Sequence, residues 1–284
     1  MPVFSGIWVA LVTPFNDGAV DFPALRRLAR HLLDAGVAGL VACGTTGEAA
    51  ALSKDEQLAV LDALLDEVPA ERLVMGLAGN NLTEVLAFQR EVQRRAIAGL
   101  LVPAPYYIRP SQEGLLSWFG TIADAASVPV ILYDIPYRTG VKLELATLRT
   151  LARHPNVVAI KDCGGNPDIT QALIADGELD VLTGEDGQIF TSLCMGGRGA
   201  ISAAAHIQPR EFVRLVECVA AGELQAARGI FQRLAPLIRL AFAEPNPAPV
   251  KSLLAMQGLI ADELRPPMQR SSAALLARLR NELA

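Results

Sequence analysis

Short, strongly apolar runs alternate with longer amphipathic ones along this chain, and eight repetitions of that alternation leave few folds open. The apolar runs are IWVALV (7–12), GLVACG (39–44), RLVMGLA (72–78), GLLVPA (99–104), VPVILYD (128–134), VVAIK (157–161), DVLTG (180–184) and GAISA (199–203). They are five to seven residues of almost continuous hydrophobicity, the pattern of parallel strands buried on both faces. Helix-length segments lie near 22–35, 54–67, 82–95, 111–126, 143–153, 167–175, 186–195 and 208–221. The second of these opens with Ser53-Lys54-Asp55-Glu56, a capping-box pattern. Eight right-handed strand–helix crossovers close most readily into an α/β (β/α)8 barrel. A doubly wound sheet would carry a glycine fingerprint after its first strand, and LVTPFNDG stands there instead. After residue 221 the strand runs stop, and LQAARGIFQRLAPLIRLAF, PAPVKSLLAMQGL and SAALLARLRNEL read as three further helices. The expected organisation is a catalytic barrel over 1–223 followed by a C-terminal three-helix region over 224–284.

Composition narrows the class of function. With 51% hydrophobic and 19% charged residues in 284, the chain can bury a large core. Its net charge of −5 and lack of a basic stripe argue against nucleic acid and anionic membranes as partners. No stretch of 18 or more apolar residues occurs, and the N-terminus shows neither a basic leader nor a cleavage-site pattern, so a cytoplasmic location is expected. Cys43, Cys163, Cys194 and Cys218 are scattered without CxxC spacing, as free thiols in a reducing compartment would be. His31, His154 and His206 form no HxH or HExxH pair, so no metal site is signalled.

A barrel of this kind carries its active site at the C-terminal ends of its strands. Those ends read Thr13-Pro14, GTTGE, AGNN, PAPYYIRPS, YDIPYRTG, Lys161, TGED and Ile201-Ser202. The question they raise is Lys161 in VVAIKDCGG. A strand-end lysine ordinarily reaches solvent or pairs with a neighbouring acid. Among apolar walls it is instead suited to imine formation with a carbonyl compound, because desolvation favours the neutral, nucleophilic amine. Tyr133, ending the neighbouring strand, is placed to move the protons that imine formation requires. The GTTGE turn (44–48) offers hydroxyls and backbone N–H groups suited to a carboxylate. Arg138 offers a guanidinium fork for a second one. In PYYIRPS, successive side chains of an extended segment would point opposite ways, so Tyr106 and Tyr107 are expected to face different surroundings. Together these residues describe a pocket for a small, multiply carboxylated keto compound.

GTTGEAAALS, PYYIRPSQEG, YDIPYRTG, IKDCGG, LTGED and EPNPAPVK resemble, in order and over essentially the whole chain, the motifs of the dihydrodipicolinate synthase and N-acetylneuraminate lyase superfamily of pyruvate-dependent class I aldolases. Pro-x-Arg-Thr-Gly, PYYxRPSQEG and EPNP are most similar to the dihydrodipicolinate synthase branch. The resemblance implies that Lys161 forms an imine with pyruvate. It implies a proton relay of Tyr133, Thr45 and Tyr107, with Tyr107 delivered from a neighbouring subunit. Thr45 and Thr46 would hold the pyruvate carboxylate and Arg138 that of L-aspartate 4-semialdehyde, and Gly184 and Ile201 would line the pocket. It further implies a homotetramer built as a dimer of dimers, no metal or organic cofactor, and a product that feeds lysine and diaminopimelate biosynthesis. The chain departs from the branch pattern at Asp134 (usually asparagine), Tyr137 (usually serine) and Ala104 (usually threonine). Lys54 and Gln57 stand where lysine-inhibited members often carry histidines, while Asn80 is kept. Three alternatives stay open. One is a related pyruvate-dependent aldolase or hydratase for a sugar acid or another aldehyde. The second is a silent keto-acid-binding barrel. The third, a metal-dependent aldolase, is disfavoured by strand ends without histidines or an acid cluster.

Overall fold

The computed structural model describes residues 4–283. The eight expected strands are present as β1 (Gly6–Ala10), β2 (Gly39–Ala42), β3 (Leu73–Gly76), β4 (Gly99–Pro103), β5 (Val130–Asp134), β6 (Val157–Asp162), β7 (Asp180–Thr183) and β8 (Gly199–Ser202). All pair in parallel, each with its neighbours in sequence, and β8 closes onto β1 to complete the barrel. Helices follow the strands: α1 (Phe22–Asp34), α2 (Lys54–Leu65), α3 (Leu82–Val92), α4 (Gln112–Asp124), α5 (Leu145–Ala152), α6 (Pro167–Asp176), α7 (Ile189–Cys194) and α8 (Pro209–Ala220). The C-terminal helices are α9 (Leu224–Ala241), α10 (Ala248–Met256) and α11 (Ala273–Leu283). At α2 both halves of the capping box form: Ser53 Oγ accepts from Glu56 N–H, and the Glu56 carboxylate accepts from Ser53 N–H.

Two apolar layers explain why the strand runs lack polar alternation. Trp8, Val41, Val74, Leu101, Ile131, Ala159, Leu182 and Ile201 pack together as one cluster, while the alternate residues Ile7, Val9, Leu40, Leu100, Leu132 and Ile160 belong to a second cluster shared with the helices. Trp8 occupies space that only a glycine leaves open, since a Cβ on Gly39 would lie 2.3 Å from its ring.

Six of the eight sequence runs overshoot their strands at the C-terminal end, while the fifth ends with its strand at Asp134 and the sixth stops one residue short of Asp162. GLVACG stops pairing after Ala42 and RLVMGLA after Gly76, so the last apolar residues belong to the loops at the barrel mouth. Two short elements escaped the periodicity. One is a hairpin pairing Phe15–Asn16 with Ala19–Val20, turned by Asp17 and Gly18 in left-handed conformations. The other is a single helical turn over Pro136–Thr139, ended by Gly140 at φ +80°. The expected helix at 186–195 begins as a 3-10 turn (Asp186–Gln188) before α7. No helix is long and apolar enough to cross a membrane among the described residues.

Candidate active site

Strand register puts Lys161 of β6 directly beside Tyr133 of β5. Both are buried, and the Lys161 amine sits 4.4 Å from the centre of the Tyr133 ring. Burial pushes the Lys161 amine below the usual lysine range, against the opposing pull of Cys163, Asp186 and Glu185. Burial likewise holds the Tyr133 phenol well above its ordinary range, while hydrogen bonding with Thr45 works the other way. The room for Lys161 comes from Gly184, where a Cβ would meet Lys161 Cε at 2.6 Å and Cys163 Sγ at 2.3 Å. Asp186, fully buried, is bonded by the Ser202 hydroxyl and by Ala204 N–H at 2.9 Å, which fixes the loop leaving β7.

The GTTGE turn closes on itself through Gly47 N–H to Gly44 O and Glu48 N–H to Thr45 O, both 3.1 Å. The amides of Thr45 and Thr46 donate to no protein group among the described residues. Thr46 Oγ1 accepts from Asn246 Nδ2 at 2.9 Å. Below the turn, Glu48 has a left-handed backbone (φ +53°) and is paired with the fully buried Lys251. Lys251 also donates to Glu263 O at 2.9 Å, and Arg265 N–H donates to Glu48 Oε2 at 3.1 Å. The Phe15 ring takes both cations, Lys251 at 4.1 Å and Arg265 at 4.7 Å.

A cavity of about 430 Å³ gathers these groups: Thr45, Thr46, Tyr133, Arg138, Lys161, Gly184 and Ile201 all line it. A second cavity of about 570 Å³ shares Thr45, Tyr133, Arg138 and Asn246 with the first and continues past Cys43, Lys54 and Tyr106. Arg138 and Tyr137 stand exposed at the mouth, the guanidinium 5.7 Å from the Tyr137 ring centre. Tyr107 is the one sequence-predicted site residue that lines neither cavity. It is 88% exposed and lines an adjoining cleft with Tyr106, Arg109 and Gly140, a cleft that shares Tyr137 and Arg138 with the Lys161 cavity. The segment is not extended as the sequence suggested. Tyr107 (φ +75°) and Arg109 (φ +47°) are both left-handed, and Tyr106 and Tyr107 share that cleft. Asn80 Oδ1 accepts from Tyr106 N–H at 2.9 Å and Thr139 O from Tyr107 N–H at 3.1 Å, fixing the loop.

Of the departures noted in the sequence, Asp134 is buried, accepts from Leu143 N–H at 3.2 Å, and has its carboxyl pushed up to about 7, chiefly by burial. Gln57 is spent on the Ala49 and Leu52 carbonyls, and the Lys54 amine lies 4.2 Å over the Phe88 ring. Sequence reasoning missed Asn246, Glu185 and the Glu48–Lys251 pair as parts of the site. A polar residue between two prolines in EPNP, just where an apolar helix ends, was the available signal for Asn246.

A family model described as the dihydrodipicolinate synthetase family matches residues 3–283. A 4-hydroxy-tetrahydrodipicolinate synthase of Syntrophobacter fumaroxidans is 40% identical over 285 residues, covering 99% of this chain and 98% of that protein. The enzyme of the same name from Pelobacter propionicus is 39% identical over 269 residues, 94% of this chain and 93% of its own. Among solved structures, dihydrodipicolinate synthase from Aquifex aeolicus superposes with a TM-score of 0.95 at 34% identity, over 99% of this chain and 97% of that one. A chloride-inhibited dihydrodipicolinate synthase from Acinetobacter baumannii, complexed with pyruvate, gives 0.94 at 34% identity over 98% and 97%.

Proposed function

The chain belongs to the dihydrodipicolinate synthetase family, and from that premise we propose that it is a 4-hydroxy-tetrahydrodipicolinate synthase, condensing pyruvate with L-aspartate 4-semialdehyde. The observation that carries the reading is the buried Lys161 amine, held beside the Tyr133 phenol at the barrel mouth with its basicity lowered by desolvation. Lys161 attacks the keto carbon of pyruvate, and loss of water gives the imine. Thr45 and Thr46 hold the pyruvate carboxylate, and Tyr133 with Thr45 moves the protons. Loss of a methyl proton gives the enamine, whose terminal carbon adds to the aldehyde while the aldehyde oxygen takes a proton. The amino group of the bound semialdehyde then attacks the imine carbon. That step closes a six-membered ring and frees Lys161. Arg138 binds the carboxylate of the semialdehyde. The chemistry calls for no metal or organic cofactor, because the imine is itself the electron sink.

Tyr107 completes the relay from a second copy of the chain, in a homotetramer built as a dimer of dimers in the cytoplasm. Its exposure, with Ile108 (56%) and Tyr137 (67%) nearby, and the cavity running past Thr45 and Tyr133 support a partner at this face. The related reading, a pyruvate aldolase for another aldehyde, draws on Tyr137, whose ring lines the Lys161 cavity. One experiment addresses both. Borohydride with pyruvate should add one reduced pyruvate to the Lys161 peptide, and a panel of aldehydes should then show condensation with aspartate semialdehyde. An adduct on another lysine overturns the imine assignment. Turnover of sugar-derived or aromatic aldehydes alone overturns the substrate.

A further inference from the structure

The turn that carries Thr45 and Thr46 is bracketed by two left-handed residues, and neither is a glycine: Cys43 at φ +51° and Glu48 at φ +53°. A side chain in that region strains the backbone, and the conformation persists only where the surroundings hold it. Cys43 is held by packing, with its buried thiol 3.9 Å from Gln57 O. Glu48 is held by charge. Its carboxylate is paired with Lys251 of α10 and accepts from Arg265 N–H at 3.1 Å. Lys251 is itself fixed by donating to Glu263 O at 2.9 Å. Between the brackets, the Thr13 hydroxyl donates to Gly47 O at 2.7 Å. The turn has no slack there, since a Cβ on Gly47 would lie 2.9 Å from Leu11 O. All of this surrounds two amides, of Thr45 and Thr46, that donate to no protein group among the described residues.

A buried ion pair is a poor source of stability, because apolar side chains of the same volume often do as well. What it supplies and they do not is direction: the carboxylate must meet its ammonium and its N–H donor at fixed points. We propose, on the reading of the Thr45–Thr46 turn as the carboxylate holder and of Lys161 as the imine former, that Glu48 and Lys251 are positioning residues of the reaction. The pair clamps Glu48 in its left-handed conformation. The clamp sets where the Thr45 and Thr46 amides point, and so how tightly the enzyme takes the carboxylate of pyruvate. Neither Glu48 nor Lys251 lines the cavity that holds Lys161, so their effect passes through the turn. The C-terminal helices thereby take part in substrate binding through α10.

The test compares pyruvate with methyl pyruvate, which keeps the keto group and lacks the negative charge. Each is titrated into the enzyme, a borohydride pulse traps the adduct on Lys161, and its yield by mass gives a half-saturating concentration. Wild type should prefer pyruvate. In Glu48→Gln and Lys251→Met that preference should fall by roughly 10–100-fold, the scale expected of a small misplacement of binding groups. The fall should come from weaker pyruvate binding, with adduct yield at saturation kept. Lys251→Arg, which keeps the cation, should keep part of the preference. The double variant Glu48→Gln/Lys251→Met separates positioning from stability and decides the matter if the single variants do not fold. It leaves no unpaired buried charge, so it should recover stability while its pyruvate binding stays weak. If pyruvate preference returns to the wild-type value in the double variant, or if the folded single variants never lose it, the pair serves stability alone and the carboxylate reading of the turn stands. A wild type that takes the ester as readily as pyruvate overturns the carboxylate reading, and one that forms no adduct on Lys161 overturns the imine reading; either result takes the positioning role with it.

Discussion

Gly184 and Asp134 show how single side chains set the state of the site. The Lys161 chain occupies the volume where a Cβ on residue 184 would sit, 2.6 Å from Lys161 Cε. Neither the strand-buried lysine nor Cys163 beside it can retreat far, so Gly184→Ala should act on Lys161 before it acts on the fold. We expect the variant to fold, with overpacking costing about 1–3 kcal/mol, and to lose most of the pyruvate adduct seen by mass after borohydride. Full adduct yield at wild-type rate would show that the space is not needed. Asp134 makes a separate prediction about pH. Its folded carboxyl titrates at about 7, above the ordinary 3.8, so the folded state binds its proton more tightly than the unfolded chain does. Stability from this group is therefore greatest at low pH and is lost as pH rises from about 4 to about 7. Asp134→Asn removes that loss. Its gain in melting temperature over wild type should be small at pH 4.5 and grow toward pH 8, where it corresponds to the order of 1–4 kcal/mol. A difference that is flat with pH would contradict the burial of this charge.

At the scale of elements, the barrel was legible because its strands are buried on both faces, and a parallel strand so placed has to read as a continuous apolar run. The same reasoning located Lys161 and Tyr133, because both stand where such a run ends. It could not find the Phe15–Val20 hairpin or the Pro136–Thr139 turn, which are too short to carry a period and are set by left-handed residues at Asp17, Gly18 and Gly140. Nor could spacing show that Asn246 bonds Thr46 or that Lys251 pairs with Glu48, since the partners come from opposite ends of the chain and only the closed barrel with its helical tail brings them together. That buried pair ties α10 to the GTTGE turn. Removing one partner leaves the other charged and unpaired in a site where both side chains are almost fully covered. Glu48→Gln and Lys251→Met should each destabilise the protein by about 3–5 kcal/mol, while the double variant should be less destabilised than the sum of the two. Strict additivity in chemical denaturation would mean that the two side chains do not act as a pair.

At the scale of the whole molecule, the barrel offers every proposed site residue but one to a single cavity. The exception, Tyr107, sits on a loop whose backbone is held at both Tyr106 and Tyr107 by hydrogen bonds to Asn80 and Thr139. A loop so fixed, with the phenol turned to solvent, supports the proposal that Tyr107 serves the site of a second subunit. Tyr107→Phe should keep the oligomer and lower turnover by roughly 10²–10⁴, the usual worth of a positioned acid or base. The sharper measurement mixes inactive Lys161→Ala with inactive Tyr107→Phe protomers through unfolding and reassembly. In a symmetric dimer that exchanges Tyr107, each mixed pair holds one site with both native residues and one with neither. Random pairing then restores activity to roughly a quarter of the sites. Mixed dimers confirmed by mass that show no recovered activity would mean that Tyr107 serves its own chain or none. Recovery near the expected fraction would mean that a lone barrel lacks a complete proton relay, which makes assembly of this enzyme a requirement of its chemistry rather than of its stability.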